Sequence, residues 1–172
     1  MTVVVDPSIL PLAQSLLECL VEALAETAAP PRRASLRTGN QVELLLSTIS
    51  DECCEGSAWV RVASFNPSAH FPDPDAVYER CAPIQWAVVL EMGVARCAPT
   101  PAANTIPSED DWNTVAAAVL DDAAAMRRAV CCFADLDPAR MYLAGQWVPL
   151  TVEGGCTGGT MPLTVAFGQC DC

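Results

Sequence analysis

The residues best able to do chemistry in this 172-residue chain are its ten cysteines. They are Cys19, Cys53, Cys54, Cys81, Cys97, Cys131, Cys132, Cys156, Cys170 and Cys172. None falls in a Cys-x-x-Cys pair, whereas a structural zinc site normally shows two such knuckles. The adjacent pairs Cys53-Cys54 and Cys131-Cys132, and the spaced pair Cys170-Asp171-Cys172, have the wrong spacing for one. Cys19 and Cys131 or Cys132 fall in helical patterns and read as buried thiols. One pairing has a geometric argument. If strands 58–65 and 84–97 are antiparallel neighbours, the start of the first lies beside the end of the second. Cys53 or Cys54 then approaches Cys97, and a disulfide there clamps the sheet edge once the protein reaches an oxidising medium. Free thiols are the alternative. A Cys156–Cys170 bond is disfavoured, because a hairpin puts one at its turn and the other at its far end.

The other reactive types form no constellation. His70 is the lone histidine, so a His-based triad or a catalytic zinc site lacks a second imidazole. Gly154-Gly155-Cys156-Thr157-Gly158-Gly159 lacks the Gly-Lys-Ser/Thr ending of a phosphate loop and precedes a strand-like stretch, so it reads as a turn. The carboxylates are scattered over loops and helix starts, which does not suit a two-carboxylate hydrolase. Asp51, Glu52 and Glu55 read as a solvated acidic loop in preference to a cation site. Neither an enzyme nor a cofactor is indicated.

Charge narrows the classes further. Nine basic residues, all Arg, face 21 acids, for a net charge of −12. A general nucleic-acid binder needs clustered cations to displace counterions, and this balance argues against one. Charged residues make up 17% of the chain, against about 25% in an average globular protein. With 52% hydrophobic residues there is ample apolar surface for a core. Met1 to Asp6 carry no positive n-region, so a secretory signal is not expected. No uncharged apolar run reaches the roughly 18 residues of a membrane span. A soluble protein made in the cytoplasm is the expectation.

The elements that must position these residues are legible in outline. Residues 8–27 predict an amphipathic helix, with Leu10, Ala13, Leu17, Leu20 and Leu24 on one face. Arg32 to Thr38 reads as a short polar connection, and 42–46 as a strand. Residues 58–65 and 84–97 alternate as strands, the second long and central with a bulge at Gly93. Ser108 and Asp111 form a capping-box pattern that opens a helix running to about Asp135. Its face is Trp112, Ala116, Val119, Ala123, Met126, Val130 and Phe133, and its two alanine runs predict close packing on a sheet. Residues 141–152 and 160–167 read as a hairpin around the glycine-rich turn. The prediction is one α+β domain over 1–172: a mostly antiparallel sheet, two long helices packed on it, a C-terminal β-hairpin, and extended loops at about 28–40, 66–83 and 98–107.

Several short motifs recur in a fixed order. They are Asp51-Glu52-Cys53-Cys54-Glu55-Gly56, Trp59-Val60-Arg61-Val62, Phe71-Pro72, Glu91 to Pro99, Ala123 to Ala129 and Gly154 to Gly159. This string resembles the head-to-tail connector proteins of long-tailed (siphovirus) actinobacteriophages, and its size and element order look most like a tail terminator. The resemblance covers roughly residues 50–172. It implies a structural virion protein of the neck, a ring subunit in a hexamer that caps the tail tube and joins it to the head connector. The partners implied are further copies of the chain, the tail tube protein and the head–tail connector or stopper. Genomic DNA passes through without specific binding, and no membrane is involved. A different neck or tail ring protein is the nearest alternative, and a small metal or redox protein a more distant one. A conduit of this kind suits an acidic lumen that repels phosphate. Asp73, Asp75, Glu109, Asp110 and Asp111 are the lumen candidates.

Overall fold

A computed structural model describes residues 7–39, 55–75, 85–99, 105–152 and 155–169. The element order is α1 (Ile9–Ala25), β1 (Arg33–Arg37), β2 (Ser57–Pro67), β3 (Gln85–Cys97), α2 (Glu109–Leu136), β4 (Tyr142–Ala144), β5 (Val148–Pro149) and β6 (Cys156–Gln169). The fold is α+β. One six-stranded sheet runs β1-β2-β3-β6-β4, with β5 also paired to β6. All pairings are antiparallel except that of β1 with β2. The expected strand at 42–46 lies outside the described residues.

Strand alternation gives the sheet its two faces. Val60, Val88, Leu90, Met92, Val94, Leu163 and Val165 are fully buried and point toward the helices. Against them α1 buries Leu12, Leu16, Leu20 and Leu24, each worth about 1.5–3 kcal/mol in transfer from water. The seam is rotated from the predicted face, so Leu10 and Leu17 fall at its margin. The two helices are antiparallel: Cys19 meets Cys132, and Ala28 N–H donates to Asp121 Oδ2 at 3.1 Å.

Three local expectations are corrected. Residues 33–37, read as part of a polar connection, form β1, because the outer edge of β2 offers them a parallel ladder. Gly93 is no bulge. It stays in register with Trp59 and Thr160, and the irregularity falls in β2 between Val62 and Ser64. A Cβ at Gly93 would lie 2.3 Å from a Trp59 ring carbon, so glycine there seats the indole. The glycine-rich segment is only partly a turn. β6 already begins at Cys156, and Gly159 lies within it beneath the Trp147 ring, also at 2.3 Å from a would-be Cβ. Trp147 belongs to the helix-side core, whereas Trp59 sits on the other face with Ala95, Cys156 and Leu150.

Candidate functional site

Two bonds weld the helices to the body. The first is a disulfide between Cys19 of α1 and Cys132 of α2, with Cα atoms 5.7 Å apart. This corrects the reading of these residues as buried thiols. Antiparallel packing sets the two side chains face to face, while Cys131, one position on, is rotated outward as an exposed free thiol. Near the same seam, Arg128 donates to the Ala23 carbonyl at 3.1 Å and approaches Glu26 at 3.5 Å.

The second weld is a bidentate ion pair that composition and spacing did not single out. Arg96 of β3 donates through Nε and an Nη to the two oxygens of Asp122, at 2.6 and 2.5 Å. Asp122 is 2% exposed. Burial pushes its carboxyl above the ordinary range, against the pull of the Arg96 guanidinium, and neighbouring Asp121 adds to the rise. One signal was present in the sequence: Asp122 lies four residues before Met126, on the apolar side of α2. On the opposite face of the sheet from Arg96, Arg61 and Glu91 are cross-strand partners, 2.7 Å apart and partly buried.

Cys97 and Cys156 stand opposite each other on β3 and β6, and each is disulfide-bonded. Cys53 and Cys54, the candidates for pairing with Cys97, lie outside the described residues. So do Cys81, Cys170 and Cys172.

The five lumen candidates fall into two groups. Asp73 and Asp75 lie in the turn after β2, beside the start of β3. Asp73 N–H bonds the His70 carbonyl, and Asp75 Oδ2 accepts from Ala69 N–H at 2.6 Å. Glu109, Asp110 and Asp111 form the first turn of α2. The helix runs from the Arg96 end of β3 toward its Gln85 end, where Asp137 and Gln85 line one small cavity. The two groups therefore lie beyond opposite ends of a 13-residue strand, about 40 Å long. Asp111 completes a reciprocal capping box with Ser108, whose hydroxyl and backbone N–H hold its carboxyl below the ordinary range.

α2 also departs from expectation in what it covers. Its buried residues are Asp122, Ala125, Met126, Ala129, Val130 and Phe133. None precedes Asp122, so the turns bearing Trp112 and Ala116 to Ala118 project past the sheet. The outer edge at β4 and β5 is apolar and open, with Met141, Tyr142, Leu143 and Val148 each 42–51% exposed. A cavity of about 320 Å³ between the start of α1 and the end of α2 is lined by Pro11, Leu12, Ser15, Phe133, Leu136 and Tyr142, among others. Among the described residues its charged lining groups are Asp137 and Arg140, which pair with each other at 3.0 Å. Among the described residues, no three His, Cys, Asp or Glu side chains converge as metal ligands would. What the arrangement offers is a braced body with exposed apolar and charged surfaces. In comparison with known proteins, no family model matches the chain and no curated protein matches it.

Proposed function

We propose that this chain is a structural subunit of a bacteriophage neck: a siphovirus tail terminator that assembles as a hexameric ring in the virion. In this reading the ring caps the tail tube, meets the head–tail connector or stopper, and lets genomic DNA pass. The observation that carries it is the balance of elements. Helices of 17 and 28 residues lie on one face of a six-stranded sheet. A head–tail adaptor should be more helical, and a stopper or tube subunit more completely β. The ordered motif string, which resembles tail terminators, points the same way.

Three further features support it. A ring subunit needs heterologous surfaces on two sides, and this chain has a projecting helix and, among the described residues, two sheet edges without a further strand. The net charge of −12 suits a conduit, since an acidic wall gives phosphate no counterion-release affinity. The helix–helix disulfide suits a particle assembled in the host cytoplasm and then released into an oxidising medium.

The test is to locate the chain in intact virions by cryo-electron microscopy or gold-labelled antibody. Density or label at the junction of head and tail is expected. A protein absent from the virion, or distributed over the capsid, sinks the reading. Purified protein should also fail to retard duplex DNA in low salt, where electrostatic binding is strongest.

A further inference from the structure

We propose that the β4 edge of the sheet pairs with itself: residues 141–145 of one copy bind the same segment of a second copy as antiparallel strands, with Leu143 at the two-fold axis. β4 and β5 are two parts of one bulged edge strand. Residues 141–145 hold one register against β6, and residues 148–150 hold another, shifted by one residue. Gly145 N–H donates to the Pro162 carbonyl at 2.8 Å, and Ala166 N–H donates to the Met141 carbonyl at 3.0 Å. Met141, Leu143 and Gly145 therefore turn their backbone groups inward to β6, and Tyr142 and Ala144 turn theirs outward. Among the described residues no strand lies beyond them. Every residue from Met141 to Gln146 is exposed.

Sheet edges are normally guarded by charges, prolines or bulges. Here the bulge and Pro149 blunt the β5 half, but the β4 half has no guard. Residues 141–152 contain no charged side chain, in a chain with 21 acids and nine arginines. Two copies that each carry −12 repel, and on this strip they can meet without desolvating a carboxylate. The strip is also complementary to itself. With Leu143 opposite the partner's Leu143, Tyr142 faces the partner's Ala144 and Met141 faces the partner's Gly145. Each of those large side chains meets a small residue, and the outward backbone groups of Tyr142 and Ala144 find donors and acceptors in the partner's Ala144 and Tyr142. Tyr142 stands on the helix side, lining the cavity with Leu12 and Phe133, so Leu143 stands on the other. With Leu136 beside the same cavity, the exposed parts of Met141, Tyr142, Leu143 and Val148 offer at most roughly 1,000 Å² over two copies, the lower limit of a specific interface. The pairing is therefore expected to be reversible, with a micromolar dissociation constant. It goes beyond the neck reading and does not rest on it. The contact is isologous, so it joins copies in twos, and closing a ring takes a separate heterologous contact.

Analytical ultracentrifugation of the full chain tests the pairing, with circular dichroism and thermal melts to check that each variant is folded. The wild type should show a monomer–dimer equilibrium. Ala144→Pro removes an outward N–H and no bond to β6, so it should weaken pairing at least about tenfold with little change in Tm. Leu143→Arg sets like charges against each other at the axis and should weaken pairing by a similar factor. Leu143→Cys reads the register, in a Cys131→Ser background that removes the exposed thiol. Residues opposed in a non-hydrogen-bonded pair have Cα atoms about 4.5 Å apart, within disulfide reach. Mild oxidation should therefore give a covalent dimer joined through position 143, whereas Val148→Cys in the same background should give none. A wild type that stays monomeric at its solubility limit overturns the pairing. So does association that both Ala144→Pro and Leu143→Arg leave unchanged, which would place the contact between copies on another surface. A missing cross-link at 143 overturns it as well. The location of the chain in the virion tests the neck reading separately, and each can fail while the other stands.

Discussion

Removing the Cys19–Cys132 bond should loosen the protein without unfolding it. The bond closes a loop with a sequence separation of 113. In the chain-entropy picture such a loop restrains the unfolded state by about 4.8 kcal/mol. Cys97 and Cys156 lie inside or beyond that loop and are themselves disulfide-bonded, so part of this restraint is already in place. A loss of about 3 kcal/mol is therefore expected. For 172 residues the unfolding entropy is about 0.36 kcal/mol/K, which turns that loss into a fall of about 8 °C in Tm. The α1 seam keeps its four buried leucines, so the folded state should survive. The assay is urea denaturation of Cys19→Ala and of Cys19→Ala/Cys132→Ala beside the wild type. The single Cys132→Ala variant is avoided because it would leave Cys19 free beside Cys131. Both variants should lose the same amount, and both should show a larger m value as the unfolded chain expands. A loss below about 1 kcal/mol, or a double variant with no cooperative transition, would refute the entropic reasoning.

Asp122→Ala should cost about 3 kcal/mol in urea denaturation, because it strands the Arg96 guanidinium without its anion. Replacing both partners by Arg96→Met/Asp122→Leu should cost less than about 1 kcal/mol, since desolvation of the pair disappears with it. The raised Asp122 carboxyl means that the native state takes up the proton first. Its contribution to stability should fall as pH rises from 3.8 through the raised native value, and the double replacement should flatten that slope. Gly93→Val should drive a side chain into the Trp59 indole and cost about 3 kcal/mol, with a red shift in tryptophan emission. Ser108→Ala should bring the Asp111 carboxyl back toward 3.8 in an NMR titration. In the wild type the stabilisation from Asp111 is present above 3.8 and lost as pH falls through its lowered native value. The variant should fray the first turns of α2 yet move the urea midpoint little, because residues 109–114 are all exposed.

What was legible in the sequence was local. The α1 periodicity, the long strand at 84–97 and the Ser108–Asp111 cap are each specified by neighbours within one element, and each is present in the structure. What was not legible depends on partners far along the chain. β1 is a strand only because β2 supplies a parallel edge, and its arginines hide the alternation. Cys19 and Cys132 become partners only once two helices have chosen their register. Gly93 looked like a bulge because a glycine in a strand weakens it, whereas here the missing side chain makes room for an indole. The first alanine run of α2 suggested close packing on a sheet, but helix propensity and the cap carry the helix past the sheet's end.

α1 has a consequence for how the chain is made. It is synthesised early, but Cys132 and the half of α2 that covers it come 113 residues later. At about 5–20 residues per second that interval is roughly 6–23 s. Secondary structure forms in microseconds or less, so α1 can coil and meet β1, β2 and β3 as they emerge, before α2 is made. Through that interval the flank of α1 that α2 covers, Cys19 included, remains open to holdase chaperones and to other nascent chains. The first helix made is completed only by the second, and a polysome is where that flank is most open to wrong partners.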